Sequence, residues 1–534
     1  MSKLKIYPCG GVGEIGSNMT VFETENNIVV IDYGILFPYD DFFNINYLIV
    51  DLEQIDKDKK ITLFVTHGHE DHIGAIPHFV KRFPEAEIYA PQFSATLIKL
   101  KLERRKLNKK IHIYQESDFF EFDEYTLHPV HVTHSIPQTH GVIFHSPDFS
   151  TLFISDFKYD ENPSFENPFN IDKVLNLLST SKKTMAMIDS TNILSPGKTK
   201  SESELIPALK DIINDEKRTF ITLFSSNIYR LKNILELAKE ANKTVIPIGR
   251  SIHQYLAAAH ESNLLCLDDY KIKEIDSVDN PESSNNLFLV TGSQGEFLGA
   301  AKRIIQGEQK HIVLTENDQF VFSSKPIPGN EKKIYRLYNQ LSEQDVTIRN
   351  YQTDLIHASG HPCQEDIKKL FTKFTPDFFI PIHGESYFLK CHQEFFKHNW
   401  PLSKVIRLKN FTGVEVDAGN VKEFQLKEVA PHLIHGNDHI IEREKISERR
   451  KIADNGIVFI SLNHKTENIS VQSKGLPLLA DDHLLKVKDL VSYIAFVENK
   501  KRDHDYTIEQ VRIKIRTFYN SILGYKPITL VQMV

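Results

Sequence analysis

The chain is 534 residues long, enough for about three domains at the usual ~100–200 residues each. Its 41% hydrophobic, 25% charged and 10% aromatic residues, with 23 Gly and 23 Pro, describe a folded protein and exclude a disordered, collagenous or coiled-coil chain. With 64 Lys+Arg against 71 Asp+Glu, a net charge of −7, the chain cannot hold nucleic acid by general basicity, so such a partner would need a local basic channel.

Taken in order, Asn18–Phe22 and Ile28–Asp32 are β-rich runs separated by polar Glu25-Asn26-Asn27, which predicts a hairpin. No apolar h-region follows Met1, and no run of ~18 apolar residues occurs anywhere, so neither a secretion signal nor a membrane span is expected and the cytoplasm is the default compartment. Ile61–Thr66 is a short apolar strand, after which residues 73–83 carry apolar side chains at helical spacing. Residues 126–133, 141–146 and 151–157 are expected to be successive strands, with a turn at Ser146-Pro147-Asp148. From about 195 to 350 helix and strand alternate: Glu204–Asn214, Thr219–Phe224, Tyr229–Ala241, Thr244–Ile248, His253–Ser262, Leu287–Thr291, His311–Thr315 and Glu331–Leu341. That alternation predicts an α/β insert around a parallel sheet. Strand, His-rich loop, helix then returns twice between 351 and about 425. A final α+β unit has a strand at Gly456–Ser461, a polar helix around Ile508–Tyr519, and 16 Lys+Arg against 12 Asp+Glu from residue 441 on.

Four cysteines, Cys9, Cys266, Cys363 and Cys391, form no CxxC pair, which argues against a disulfide framework and against a Cys-based zinc site. The 24 histidines instead cluster. His67-Gly68-His69-Glu70-Asp71-His72 follows the strand ending at Thr66, so three imidazoles and a carboxylate converge on one turn. That donor set suits zinc, and its number suits two ions. His134, Asp156 and His383 are the further candidates downstream, whereas His78, His112, His128, His131, His140 and His145 read as ordinary surface or strand histidines.

The HxHxDH motif, the later His and Asp, and the terminal His-Gly resemble the metallo-β-lactamase fold. The insert, followed by His357-Ala-Ser-Gly-His361 and His383-Gly-Glu385, is similar to the β-CASP subgroup. Within it the chain resembles bacterial ribonuclease J over nearly its whole length, through Asp189–Asn192, Phe224–Arg230, Gly292–Glu296, Phe322–Glu331, His357–His361 and Pro381–Glu385. The resemblance implies an αββα sandwich of residues 1–194 and 351–430, interrupted by a β-CASP α/β insert at 195–350 and followed by a small α+β domain at 440–534.

It further implies that His67, His69 and His134 hold one zinc, that Asp71, His72 and His383 hold the other, that Asp156 bridges them, and that Asp32 orients the cluster. Manganese or magnesium could replace zinc in such a site. His361 is expected in proton transfer, supported by Asp189, and His357, Ala358, Ser359, Gly360 and His361 in a phosphate clamp together with Ser225, Ser226 and Asn227 at a strand-to-helix turn. The same phosphate-clamp residues fit a structural turn, and Ser or Asn at that helix start fits a simple cap. Two departures from the family pattern are Gln138, where Asp is common, and Ser155, where Gly is usual; neither removes a ligand.

The implied activity is zinc-dependent hydrolysis of single-stranded RNA, 5′→3′ from a 5′-monophosphate and also internally, by homodimers or homotetramers or by hetero-oligomers with a paralogue. A β-CASP nuclease acting on DNA and a mainly structural subunit of an RNA-degrading complex are the rival readings. A small-molecule hydrolase is disfavoured because the insert of about 155 residues with phosphate-type loops would have no purpose there.

Overall fold

The structure is a computed structural model describing residues 3–38, 44–296, 298–436, 438–463, 465–477, 483–498 and 503–534. The chain divides into two compact units, one of residues 1–36 and 49–431 and the other of residues 37–48 and 432–534.

The first unit is built on two facing sheets. One has eight strands in the order Asn420–Gln425, Thr412–Asp417, Leu4–Gly10, Met19–Glu23, Asn27–Ile31, Lys60–Phe64, Glu87–Ala90, His112–Ile113. The other has seven, in the order Lys404–Val405, Phe378–Ile382, Lys183–Asp189, Phe149–Ile154, His140–His145, Tyr125–His131, Phe120–Phe122. Phe22, Val29, Ile31, Phe64, Phe144, Phe153, Met185 and Ile380, all fully buried or nearly so, fill the space between them. The alternate residues of the second sheet, Ile143, Leu152, Ile154, Ala186 and Ile188, pack outward with Ile367, Leu370, Phe371 and Phe396 of the helices Gln364–Phe371 and Ser386–Asn399. Strands with both faces buried read as continuous apolar runs, which is why Ile61–Phe64 and Ile28–Ile31 show no alternation. The expected hairpin is present, Val21 pairing with Val30. The expected helix over 73–83 is instead two, Glu70–Ile73 and Ile76–Arg82, with the second opening on Pro77.

The insert is a five-stranded parallel sheet in the order Thr244–Ile248, Asn286–Val290, Arg218–Thr222, Asp318–Phe322, Thr347–Asn350. Phe220 stacks on Phe288 at 4.5 Å and Phe320 at 5.7 Å to form its centre. His311–Thr315, expected as a regular element, is a loop: Ile312 and Leu314 are buried in the insert core, but the strand begins only at Asp318. Thr315 N–H and Thr315 Oγ1 both bond to Asp318 Oδ2, and this local turn takes the backbone groups that a sheet would need.

The second unit places the helices His483–Ser492 and His504–Leu523 on a mixed sheet of Asn468–Lys474, Ile457–Asn463 and Ile528–Met533, with Val458, Ile460, Leu462, Val491, Ile515 and Tyr519 inside. Residues 37–48 belong to this unit as well. The strand Tyr47–Ile49 joins His432–His435 and His439–Ile441 in a separate sheet, and Asn46 N–H bonds to Ile434 O. Among the described residues no helix is long and apolar enough to cross a membrane.

Candidate metal centre

The site forms where strands of both sheets end. Asp32 follows Asn27–Ile31, His67 to His72 follow Lys60–Phe64, Asp156 follows Phe149–Ile154, Asp189 ends Lys183–Asp189, and His383 follows Phe378–Ile382. Two groups of side chains have ligand atoms mutually within 4.8 Å: His67, His69, His134 and Asp156; and Asp71, His72 and His383. Asp156, His361 and His383 form a third such group that overlaps both. The seven residues proposed from the sequence are therefore brought together, and His361 stands beside them, its Nδ1 3.9 Å from Asp156 Oδ2.

Four of the five candidate ligand histidines are aimed by a bond to the other ring nitrogen, as metal-binding imidazoles are. His67 Nδ1 meets Thr66 Oγ1 at 2.9 Å, His72 Nδ1 meets Asp32 Oδ2 at 2.8 Å, His134 Nδ1 meets Gly360 O at 2.6 Å, and His383 Nδ1 meets Thr191 Oγ1 at 2.8 Å. Asp32 is fixed in turn by Thr66 N–H and Thr66 Oγ1, both at 2.7 Å. Close approach is built into two glycines. A Cβ at Gly34 would lie 1.5 Å from Asp71 O, and one at Gly360 would lie 2.6 Å from His134 Cε1. Asp32 and His383 themselves sit at φ +62° and +50°, backbone strain that non-glycine residues keep where the surroundings hold them there.

The donor set fits a metal. Asp156 Oδ1 and His383 Nε2 are buried without a hydrogen-bond partner, a cost that a bound cation removes. His67 Nε2 and His134 Nε2 both point at His69 Nδ1, at 3.0 and 3.2 Å, and one proton cannot serve three nitrogens. Burial pushes His67 and His134 well below the ordinary imidazole range and His69 down to about 4, so these rings present lone pairs. His72 and His383 behave oppositely. Burial disfavours their charged forms, but the carboxylates around them outweigh it, holding His72 well above its ordinary range and His383 up at about 10. The carboxylates thus demand positive charge at the point where the imidazoles converge, and divalent cations meet that demand.

Beside the cluster, Asp189 Oδ2 accepts from His361 Nδ1 at 2.7 Å. Burial opposes both charges, yet their mutual attraction raises His361 and holds Asp189 at about 2. Ser359 Oγ accepts from Asn192 Nδ2 at 2.8 Å and from His361 N–H at 3.1 Å, which leaves its own O–H to donate. His357 is partly buried and beside Arg230, and desolvation and that positive charge together bring it down to about 3. Because a guanidinium only donates, the 3.2 Å contact with Arg230 Nη1 makes His357 Nδ1 the acceptor and puts the ring proton on Nε2. Of the strand-to-helix turn, Ser225 Oγ meets Ser251 Oγ at 2.9 Å and Ser226 is partly exposed. Asn227 is occupied, capping the helix Ile228–Glu240 through Arg230 N–H and donating to Glu202.

Several functional residues were not singled out from the sequence. Asn18 Nδ2 lies 3.1 Å from Asp71 Oδ2 and 3.0 Å from His72 Nε2. Thr191 and Asn192 lie in the quoted Asp189–Asn192 stretch and Arg230 in Phe224–Arg230, so a signal existed for them. Asn18 had none beyond its place at the start of a strand.

Residues 12–216 match the family described as metallo-beta-lactamase superfamily, residues 216–341 the family of the ribonuclease J beta-CASP domain, and residues 349–401 that of the Zn-dependent metallo-hydrolase RNA specificity domain. Among solved structures, one described as a protein of unknown function from Enterococcus faecalis V583 shares the fold, with a TM-score of 0.57 at 15% identity over 79% of this chain and 100% of that one. Ribonuclease J of Mycoplasma genitalium is 33% identical over 71% of this chain and 68% of its own length. Ribonuclease J of Helicobacter pylori strain B128 is 31% identical over 91% of this chain and 72% of its own. With ribonuclease J of Synechocystis likewise 31% identical over 86% of this chain and 72% of its own, the chain belongs to the ribonuclease J family.

Proposed function

We propose that the chain is a metal-dependent ribonuclease that binds two zinc ions, degrades single-stranded RNA 5′→3′ from a 5′-monophosphate end and also cuts internally, in cytoplasmic RNA processing and decay. The observation that carries this reading is the convergence of seven imidazole and carboxylate donors beside the His361–Asp189 pair. His67, His69 and His134 would hold one ion and Asp71, His72 and His383 the other, with Asp156 shared. The imidazole-rich donor set favours zinc over magnesium or manganese. When bound, such a pair supplies Lewis acidity, lowering the pKa of water and neutralising charge on the phosphoryl oxygens.

The protein's own residues do the rest. Ser359 O–H, His357 Nε2–H and the Ser225–Ser226 turn would bind phosphate oxygens. Asp189 favours the charged form of His361 and occupies its Nδ1, so Nε2 is the atom that would pass a proton to the leaving 3′ oxygen. Asp32, Thr66, Thr191 and Gly360 O hold the imidazoles in place, so little reorganisation is needed on binding.

Assembly into homodimers or homotetramers is part of the same reading. It is supported by the second unit's sheet, where Phe459 and Leu530, paired across neighbouring strands, are 38% and 48% exposed. Light scattering of the chain with and without Phe459→Ser and Leu530→Ser tests that assembly. For the activity, end-labelled RNAs bearing 5′-monophosphate, 5′-triphosphate or 5′-hydroxyl are incubated with the purified chain and each metal. Release of mononucleotides that is fastest from the monophosphate supports the proposal. No cleavage with any metal would leave a structural subunit, and equal cleavage of the matching DNA would move the reading to a DNA-acting nuclease.

A further inference from the structure

Beside the metal centre lies a cavity of about 640 Å³, between the two-sheet core and the start of the helix Ile228–Glu240. Its walls adjoin the segments that carry the site: Gln138 lies in the loop after His134, His140 opens the strand His140–His145 and its N–H bonds to Thr66 O next to His67, and Tyr229 stands three residues past Ser226.

Its lining differs from the metal centre in chemistry. Five carboxamides, Gln92, Gln115, Gln138, Asn167 and Asn263, stand on a wall shared with histidines, tyrosines and two glutamates. Gln138 Oε1 is taken by Phe93 N–H at 2.8 Å, so Gln138 offers the cavity its Nε2 donors. Phe165 also lines it, 49% exposed and held at φ +66°, a conformation that costs a bulky residue free energy and puts its ring at the rim. Lys232 Nζ lies 4.2 Å from the Phe165 ring centroid and steadies it. The Glu166 carboxyl, pushed by burial up to about 8, accepts from Tyr229 O–H and is neutral at pH 7, so it adds no charge against a phosphate chain. Glu116 Oε1 accepts from His131 N–H at 3.1 Å and Asn170 Nδ2 at 2.8 Å, which turns that oxygen toward the protein.

Carboxamides present a donor and an acceptor side by side, which is what a base edge pairs with, and an exposed ring offers a face for stacking. We propose that this cavity is a nucleobase-binding site in which Phe165 stacks on a base and Gln138 and Gln115 meet its hydrogen-bonding edge. The inference rests on the ribonuclease reading only for the base's source. The base belongs either to the RNA being cut or to a free nucleotide, and the test separates the two.

RNAs with a single abasic nucleotide placed in turn at each of the first several positions are cleaved by the metal-loaded full chain and by its Phe165→Ala and Phe165→Tyr variants. If the base comes from RNA, one abasic position lowers kcat/KM on the order of tenfold in the unaltered protein. Phe165→Ala shows a similar loss on intact RNA and no further loss at that position, while Phe165→Tyr restores the pattern. A second arm titrates AMP, GMP, CMP and UMP against the same proteins. Binding weakened on the order of tenfold by Phe165→Ala, without any abasic effect, assigns the cavity to free nucleotide. The proposal is overturned if no abasic position separates the unaltered protein from Phe165→Ala and that substitution leaves nucleotide binding unchanged. If the unaltered protein cuts no RNA at all, the ribonuclease reading fails, and the titration alone decides the cavity.

Discussion

Arg230 is the largest fully buried side chain among the described residues, and replacing it with methionine is the sharpest test of how the insert is fastened to the site. Its guanidinium donates to Glu202 through Nε at 3.1 Å and Nη2 at 2.6 Å, to Ser323 O at 2.6 Å and to Ala358 O at 3.1 Å, besides the His357 contact. Arg230→Met would leave the Glu202 carboxylate, 3% exposed, without its guanidinium partner and with Asn227 Nδ2 still donating to it. Breaking a buried pair from one side costs about 3–5 kcal/mol, because the partner charge stays uncompensated. The two carbonyls left without Arg230 add about 1–3 kcal/mol each if water cannot reach them. In urea unfolding, Arg230→Met should therefore lower the midpoint of the first unit strongly. Arg230→Met combined with Glu202→Gln should recover at least about 1 kcal/mol relative to the sum of the two single changes, since the uncompensated charge is then gone. The effect is pH-dependent. Burial pushes Glu202 up, but Arg230 outweighs it and the folded value lies below the ordinary 4.5. That stability is present above pH 4.5 and is lost as pH falls through the folded value, so the gap between Arg230→Met and the unaltered protein should narrow in acid. Strict additivity of the two substitutions, or a gap that widens on acidification, would refute this account.

His69→Ala or Asp156→Ala should lower the metal content measured by atomic emission and abolish cleavage while circular dichroism stays near normal. His361→Ala should keep its metal and lose turnover by a factor on the order of 10²–10⁴; loss of half the metal would instead make His361 a ligand. Thr191→Val should leave His383 Nδ1 without its 2.8 Å partner and weaken metal affinity by about 10–100-fold in a competition titration with a chelator. Glu166 titrates at about 8 when folded against 4.5 ordinarily, so the folded state holds an extra proton between those values and stability falls as pH rises through that window. Glu166→Gln should gain on the order of 1–4 kcal/mol relative to the unaltered protein between pH 5 and pH 9; an equal offset at both ends would contradict the assignment.

Much of this was legible in the sequence because it is local. His67 to His72 occupy six consecutive positions after one buried strand, and the parallel insert shows itself through Thr219–Phe224, Thr244–Ile248 and Leu287–Thr291, each within a residue or two of the observed strand. What was not legible depends on contacts across long separations. Asn18 reaches Asp71 and His72 only after the first sheet has closed. Glu202 and Arg230 look like an ordinary acid and base 28 residues apart until both are buried against each other. At His311–Thr315 the alternation Ile312, Leu314 gave a strand-like pattern, but the side-chain bonds of Asp318 turned the backbone into a loop. The share of residues 37–48 in the C-terminal unit had no local signal at all, since its partners lie near residue 434.

That last arrangement bears on how the chain is made. The strand Tyr47–Ile49 finds its neighbour only when His432–His435 has been synthesised, and Leu4–Gly10, flanked early by Met19–Glu23, gains its second neighbour only with Thr412–Asp417. At roughly 5–20 residues per second the ribosome needs on the order of 20–80 s to cover that interval. Throughout it, Tyr47–Ile49 lacks its strand partner and Leu4–Gly10, paired with Met19–Glu23 on one side, keeps its other edge open, while the insert, whose five strands fall within residues 218–350, can complete its own sheet. The metal centre closes only after the insert, because His383 emerges once the insert is finished, and before Thr412–Asp417 and His432–His435 supply the last strand partners. A translational pause placed between residues 350 and 410 would therefore lengthen exposure of these open strand edges without disturbing the insert, and aggregation during synthesis should be most sensitive to codons in that stretch.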